Sequence, residues 1–128
     1  MAETKFWRCK HCGNVFATIV DGGVNPMCCG EKMELLSANS TDAATEKHVP
    51  VVESIAGGHA WKVTVGEVEH PMTEEHHIEW IAMVGDGRVD IVRLAPTDKP
   101  MAMFAGEVHK SGTVYAYCNL HGLWKAEF

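Results

Sequence analysis

No run of 18 apolar residues occurs in the 128-residue chain, so it contains no stretch long enough for a membrane-spanning helix. Basic residues are also scarce, with 11 Lys and Arg against 17 Asp and Glu, a formal net charge of −6. That balance argues against a nucleic-acid footprint and makes an anionic membrane surface a poor partner. The opening MAETKFWRCK has neither the apolar stretch nor the small-residue cleavage pattern of an export signal, so the expected compartment is the cytoplasm. An even cysteine count is lacking as well. Five cysteines cannot all pair, and reduced thiols are the rule in the cytosol, so metal binding is the better reading than a disulfide framework.

What the chain does have is ligands: those five cysteines and eight histidines. Four of the cysteines lie in the first 29 residues, and the next is Cys118. Between them, residues 37–45 (SANSTDAAT) are small and polar with no apolar period, as a linker would be. The expected division is a small metal domain over 1–37, a linker over 38–45 and a larger domain over 46–128. A piece of roughly 37 residues falls below the ~40 at which a hydrophobic core can support a fold alone, so something must staple it.

Downstream, β-branched and aromatic residues recur in short stretches: Trp61 to Val65, Ile78 to Val84, Arg88 to Leu94, Met101 to Ala105 and Thr113 to Tyr117. These read as strands, and WKVTV and RVDIV alternate apolar and polar residues as half-buried antiparallel strands do. Gly85, Asp86 and Gly87 make a hairpin connection with glycine available for positive φ. No stretch has comparable helical support. The fold class is mainly β, with a sandwich or barrel downstream and ligands on its connecting loops.

Cys9-Lys10-His11-Cys12 and Cys28-Cys29 supply four thiolates, a set that suits zinc or a single iron. Gly13 and Gly30 follow the two pairs and allow the backbone to turn back toward sulfur. Adjacent cysteines are an unusual second half, and a distorted tetrahedron is expected. His11 reads as a solvent-facing neighbour.

The second group of candidates is Glu46-Lys47-His48 before Pro50, His70 before Pro71, Glu75-His76-His77, and Cys118-Asn119-Leu120-His121. Each proline restricts the residue before it to extended backbone and so fixes how a loop presents its imidazole. Cys118 and His121, with two residues between them at a strand end, can be aimed at one ion by one turn. Taken singly, each histidine is more often a polar surface or satisfied core residue than a ligand. Together, four imidazoles and one thiolate fill five positions of an octahedral ion and leave one for a small oxidant, and a thiolate donates electron density to iron. His59 and His109 read as loop residues, and Met72, Met101 and Met103 as packing.

In the segments FWRCKHCGNV, MCCGEKM, TEKHVPV, HPMTEEHHIEWI and YCNLHGLWKAEF the chain resembles the desulfoferrodoxin family, the two-domain class of superoxide reductases. The resemblance implies a desulforedoxin-like domain, related in kind to rubredoxin, with one iron held by Cys9, Cys12, Cys28 and Cys29. It implies a second iron in an immunoglobulin-like antiparallel β-sandwich, with His48, His70, His76 and His121 equatorial and Cys118 axial. His76 is taken before His77 because it keeps the family's spacing to Ile78 and Trp80, whereas His77 stands where the family usually has an aromatic residue. Lys47 and Glu46 would lie over the open position. The implied reaction combines superoxide, one electron and two protons into hydrogen peroxide, with a small redox protein such as rubredoxin as donor and a homodimer as the assembly. Competing readings are a blue-copper-like electron carrier and a non-catalytic zinc module.

Overall fold

Strands form where β-branched and aromatic residues cluster, and turns where glycine permits positive φ. The computed structural model describes residues 4–128, and the chain divides into two units, Met1–Ser37 and Ala38–Phe128.

The first unit pairs β1 (Phe6–Arg8) with β2 (Val15–Ala17) and with β5 (Glu34–Leu35), and carries a separate hairpin of β3 (Met27–Cys28) and β4 (Glu31–Lys32). Its buried cluster is Trp7, Cys9 and Met33, with Cys28 packed against them. The Trp7 indole N–H donates to Thr18 Oγ1 at 2.7 Å, which ties β1 to the end of β2.

The second unit is a sandwich of two antiparallel sheets. One has the order β10-β7-β6 (Met101–Ala105, Ala60–Val65, Pro50–Ile55) and the other β12-β11-β8-β9 (Gly122–Glu127, Thr113–Cys118, Ile78–Gly85, Arg88–Arg93). Val63, Val65, Ala102 and Phe104 from the first sheet meet Ile81, Met83, Val114, Ala116 and Cys118 from the second in one buried cluster. The five expected strands are present within a residue of their expected ends. β6 and β12 were not anticipated, nor was α1 (Thr45–His48), a single helical turn.

Several details depart from expectation. The β8–β9 connection is two residues and not three, because Gly85 still pairs with Arg88, leaving Asp86 (φ 53°) and Gly87 (φ 76°) in the turn. Residues 38–45, expected as a linker, lie in the second unit: Asn39 N–H donates to Leu123 O at 2.9 Å, and Lys125 N–H donates to Asn39 Oδ1 at 2.9 Å. His109 sits in a connection as expected but is fully buried, with Nε2 on the Asp90 carboxylate. Met103 is half exposed rather than packed, because it points away from the core face shared by its neighbours Ala102 and Phe104.

At the site end, β11 and β8 lose register. Tyr117 pairs with Trp80 but Cys118 pairs with Ile78, so Glu79 is skipped. A bulge of this kind bends a strand and re-aims side chains. Here it falls at Cys118, which stays in the core and has its sulfur 3.8 Å from His121 Nδ1.

Candidate metal centres

The first centre is built from two tight turns. Gly13 N–H donates to Cys9 O at 3.0 Å, closing the Cys9–Cys12 loop, and Cys12 N–H points at Cys9 Sγ at 3.5 Å. Across from it, Cys29 (φ 52°) and Gly30 (φ 75°) form the β3–β4 turn. The left-handed backbone at Cys29 lets adjacent cysteines serve one centre, with their sulfurs 3.9 Å apart. Cys12 Sγ and Cys28 Sγ are 3.6 Å apart, and all four sulfurs lie within 4.8 Å of one another. A tetrahedral ion with metal–sulfur bonds of about 2.3 Å requires sulfurs about 3.8 Å apart, so the four cysteines fit one. No disulfide joins them. His11, exposed as expected, pairs with Glu31 and thereby bridges the two ligand turns.

Thiol acidity in this cluster is split. Cys9 is pulled down to about 6, chiefly by the Cys12 backbone N–H, while Cys28 is pushed up to about 12, first by its contact with Cys9 and then by Cys12. Like charges this close oppose joint ionisation, and a cation among the sulfurs removes that opposition.

The second centre gathers side chains from four places. The α1 turn delivers His48, whose Nδ1–H donates to Ala44 O at 2.7 Å, and the turn ends at extended Val49 (ψ 124°) before Pro50. His70 ends a turn closed by its own N–H on Val65 O at 3.1 Å, and its Nδ1–H donates to Pro71 O at 2.7 Å. His76 is held by backbone bonds to Thr73, and Cys118 and His121 stand on the β11–β12 turn. Nδ1 donation fixes the tautomer and directs the Nε2 lone pairs of His48 and His70 inward.

The four rings form a square. Neighbouring rings lie 4.6 to 5.0 Å apart and nearly perpendicular, at 78° to 87°, around the order His48, His70, His76, His121. The diagonal pair His48 and His76 is 6.2 Å apart and inclined by only 29°. The inner nitrogens are 3.2 Å apart for His48 and His70, and 3.1 Å for His48 and His121. A square with these edges has its centre about 2.2 Å from each corner, the length of a metal–imidazole bond. Cys118 Sγ lies 3.8 Å from His121 Nδ1 and accepts the His121 backbone N–H at 3.4 Å. The atoms of His48, His76, Cys118 and His121 lie within 4.8 Å of one another, and His70 joins them through its contact with His48.

Protein chemistry alone leaves this arrangement unsatisfied. With both Nδ1 protons committed to carbonyls, the facing Nε2 atoms of neutral His48 and His70 present lone pairs to each other. The buried Nε2 of His76 has no hydrogen-bond partner among the described residues. Burial is the leading cause that lowers the pKa of His48, His70 and His76, His70 to about 4, so the imidazoles are held in the neutral, ligating form. Burial likewise raises the Cys118 thiol, which a bound cation would counter. The donors fit one cation of octahedral preference. Four imidazoles exceed what a blue-copper site takes.

His77 lies outside the square: its Nδ1–H donates to Thr73 O at 2.9 Å and its backbone N–H to Asn119 Oδ1 at 2.9 Å. Glu46 and Lys47 are exposed on the α1 turn, and the Lys47 charge contributes to the lowered pKa of both His48 and His76. Sequence reasoning missed two residues that shape this site. Asn119 uses both ends of its amide, accepting from His77 and donating to Glu75 O at 3.0 Å, and so ties the His76 loop to the Cys118 loop. Trp124 stacks on His48 with ring centres 4.9 Å apart. An amide between two candidate ligands is the only sequence signal that could have found the first, and nothing local announces the second.

Comparison with known proteins agrees with this geometry. The family model for desulfoferrodoxin matches residues 40–127, and that for the desulfoferrodoxin N-terminal domain matches residues 2–36. A desulfoferrodoxin of Nitratidesulfovibrio vulgaris is 48% identical over 125 residues, covering 98% of this chain and 97% of the relative. A superoxide reductase of Pyrococcus abyssi is 42% identical over 104 residues, 69% of this chain and 90% of that one. The crystal structure of the superoxide reductase from Treponema pallidum superposes with a TM-score of 0.80 at 32% identity, covering 98% of this chain and 99% of that one. Two ligand clusters, a three-on-four sandwich and matches to both family models over nearly the whole length place the chain in the desulfoferrodoxin family.

Proposed function

We propose that this chain is a two-iron superoxide reductase, combining superoxide, one electron and two protons into hydrogen peroxide. The observation that carries the reading is the square of four imidazoles with one thiol sulfur beside it. In this reading His48, His70, His76, His121 and Cys118 hold the second iron, within a catalytic domain of 46–128 onto which residues 38–45 pack as part of the same unit. Cys9, Cys12, Cys28 and Cys29 hold the first, within residues 1–37. Iron held at the second site would supply the one-electron chemistry, and the five candidate donors are one fewer than an octahedral cation takes.

The remaining steps belong to the chain. Cys118, as a thiolate steadied by the His121 N–H, pushes electron density toward the site. Lys47 draws in the anion against the net charge of the protein and orients water for protonation. Glu46, on the same turn, helps displace product. Exposed Cys12 and Cys29 suit the first centre to electron entry from a small redox protein such as rubredoxin. Exposed Ile19, Val20 and Val24 in the first unit give a second copy apolar surface to cover, consistent with a homodimer. Among the described residues no helix is long and apolar enough to cross a membrane, and the odd, unpaired cysteine count favours a reducing cytoplasm.

Metal analysis together with superoxide assays tests the proposal. About two irons per chain are expected, with superoxide consumed at the expense of a reductant and no dioxygen released. Zinc in both sites, or dioxygen release in the proportion expected of a dismutase, would reject it.

A further inference from the structure

Between β7 and His70 the chain makes a turn at Gly66, where φ is +89°. A Cβ at this position would stand 2.3 Å from Val68 O, 2.8 Å from Glu46 O and 2.8 Å from Lys47 C. All three are backbone atoms, so no change of rotamer could make room, and a side chain here must push away both the Val68 carbonyl and the Glu46–Lys47 backbone. Beside this contact, Val68 N–H donates to Glu46 O at 2.9 Å. The missing side chain and the single amide together dock the α1 turn onto the loop that leads into His70. Nothing comparable holds the Lys47 side chain, which is exposed and makes no ion pair among the described residues. His48, one residue on, has anchors of its own in Ala44 O and the face of Trp124.

We infer that Gly66 is a positioning residue for superoxide capture, acting through Lys47 by fixing where the α1 turn lies. The inference rests on the reading of Lys47 as the guiding cation. A new Cβ would press first on Val68 O, in the loop that leads to His70, and then on Glu46 O and Lys47 C, in the turn that leads to His48, so iron content is the readout that separates this role from one in holding metal.

The test is a double-mutant cycle in the iron-loaded protein with Gly66→Ala and Lys47→Ala, accompanied by hydrogen exchange of the peptide that contains Val68. Gly66→Ala should keep both irons and speed exchange at the Val68 amide. It should lower the second-order rate constant for superoxide about as much as Lys47→Ala, roughly tenfold, and flatten its dependence on salt. In the Lys47→Ala background Gly66→Ala should cost nothing further. Val68→Pro, which removes the donor and adds nothing at position 66, should reproduce the iron content, the lowered rate constant and the flattened salt dependence, and serves where the alanine variant does not accumulate.

An additive loss in the double variant, or loss of the second iron in both Gly66→Ala and Val68→Pro, would overturn the inference, because Gly66 would then serve the ligand frame. A wild-type rate despite fast exchange at Val68 would overturn it too. Should Lys47→Ala react at the wild-type rate, it is the guiding role of Lys47 that fails, and the inference resting on it falls with it; the exchange data would still report separately on the docking of the turn.

Discussion

The two units relate metal to core in opposite ways. In the first, only Phe6, Trp7, Cys9 and Met33 are buried among the described residues, so a candidate ligand is one of four core residues and a second, Cys28, packs against it. In the second, ten residues form the core and only Cys118 among them belongs to the site. A centre can thus be the reason a unit folds, or a fitting mounted on a fold that stands without it.

Removing metal should expose this contrast most strongly. Chelation is expected to unfold the first unit, since structural metals of this kind supply roughly 10 kcal/mol or more, while the sandwich stays folded. Hydrogen exchange resolved along the chain checks this; equal protection of both units after chelation would break the comparison.

Next in size is the effect of single ligands. Cys118→Ser should abolish reductase activity, exceeding the roughly 10–100-fold loss expected from outer-sphere changes, and should leave the sandwich cooperative. Cys29→Ser should destabilise the first unit and spare the optical signature of the second site. Equal loss of activity in the two variants, with the sandwich intact, would contradict the division of labour.

Acid sharpens the contrast from the other side. His48, His70 and His76 have folded pKa values below the ordinary value of about 6.5, so the unfolded chain takes up their protons first. Their contribution is complete above about pH 6.5 and is lost as pH falls toward about 4, the His70 value. In metal-free protein the unfolding free energy of the second unit should fall across that window, by on the order of 3 kcal/mol for His70 alone, and its denaturation midpoint should fall with it. A midpoint constant from pH 6.5 to 4 would mean that these imidazoles are not held neutral.

The smallest effect expected is that of Lys47→Ala, because an ammonium guides but does not ligate. Iron content and thiolate-to-iron absorption should stay, and the rate constant for superoxide should fall about tenfold with a shallower salt dependence. Unchanged rate and salt dependence would reduce Lys47 to a surface lysine.

How much of this was legible in the sequence follows from the range of the interactions. Trp61 to Val65 and Thr113 to Tyr117 announce strands because alternation and β-branching are local signals. β6 was hidden because PVVESI mixes polarities at the edge of its sheet, and β12 because GLWKAE opens on a glycine and carries charge. The cysteine pairs and the His-Pro segments were readable because ligand chemistry needs particular residue types. Asn119, Trp124 and Gly66 were not, since each acts on a partner far along the chain and its residue type is unremarkable without that partner. The buried His109–Asp90 contact was invisible for the same reason.

The carbonyl anchors of the imidazoles carry a consequence for charge. His48 and His70 lean on Ala44 O and Pro71 O, uncharged acceptors, where many metal-binding histidines lean on carboxylates. Such an anchor orients the ring without adding a negative charge behind it. The donor set then brings one negative charge in all, from Cys118, and a divalent ion held there leaves a centre of about +1. An anion approaching a protein of net charge −6 would meet, at this one place, a local potential of the opposite sign.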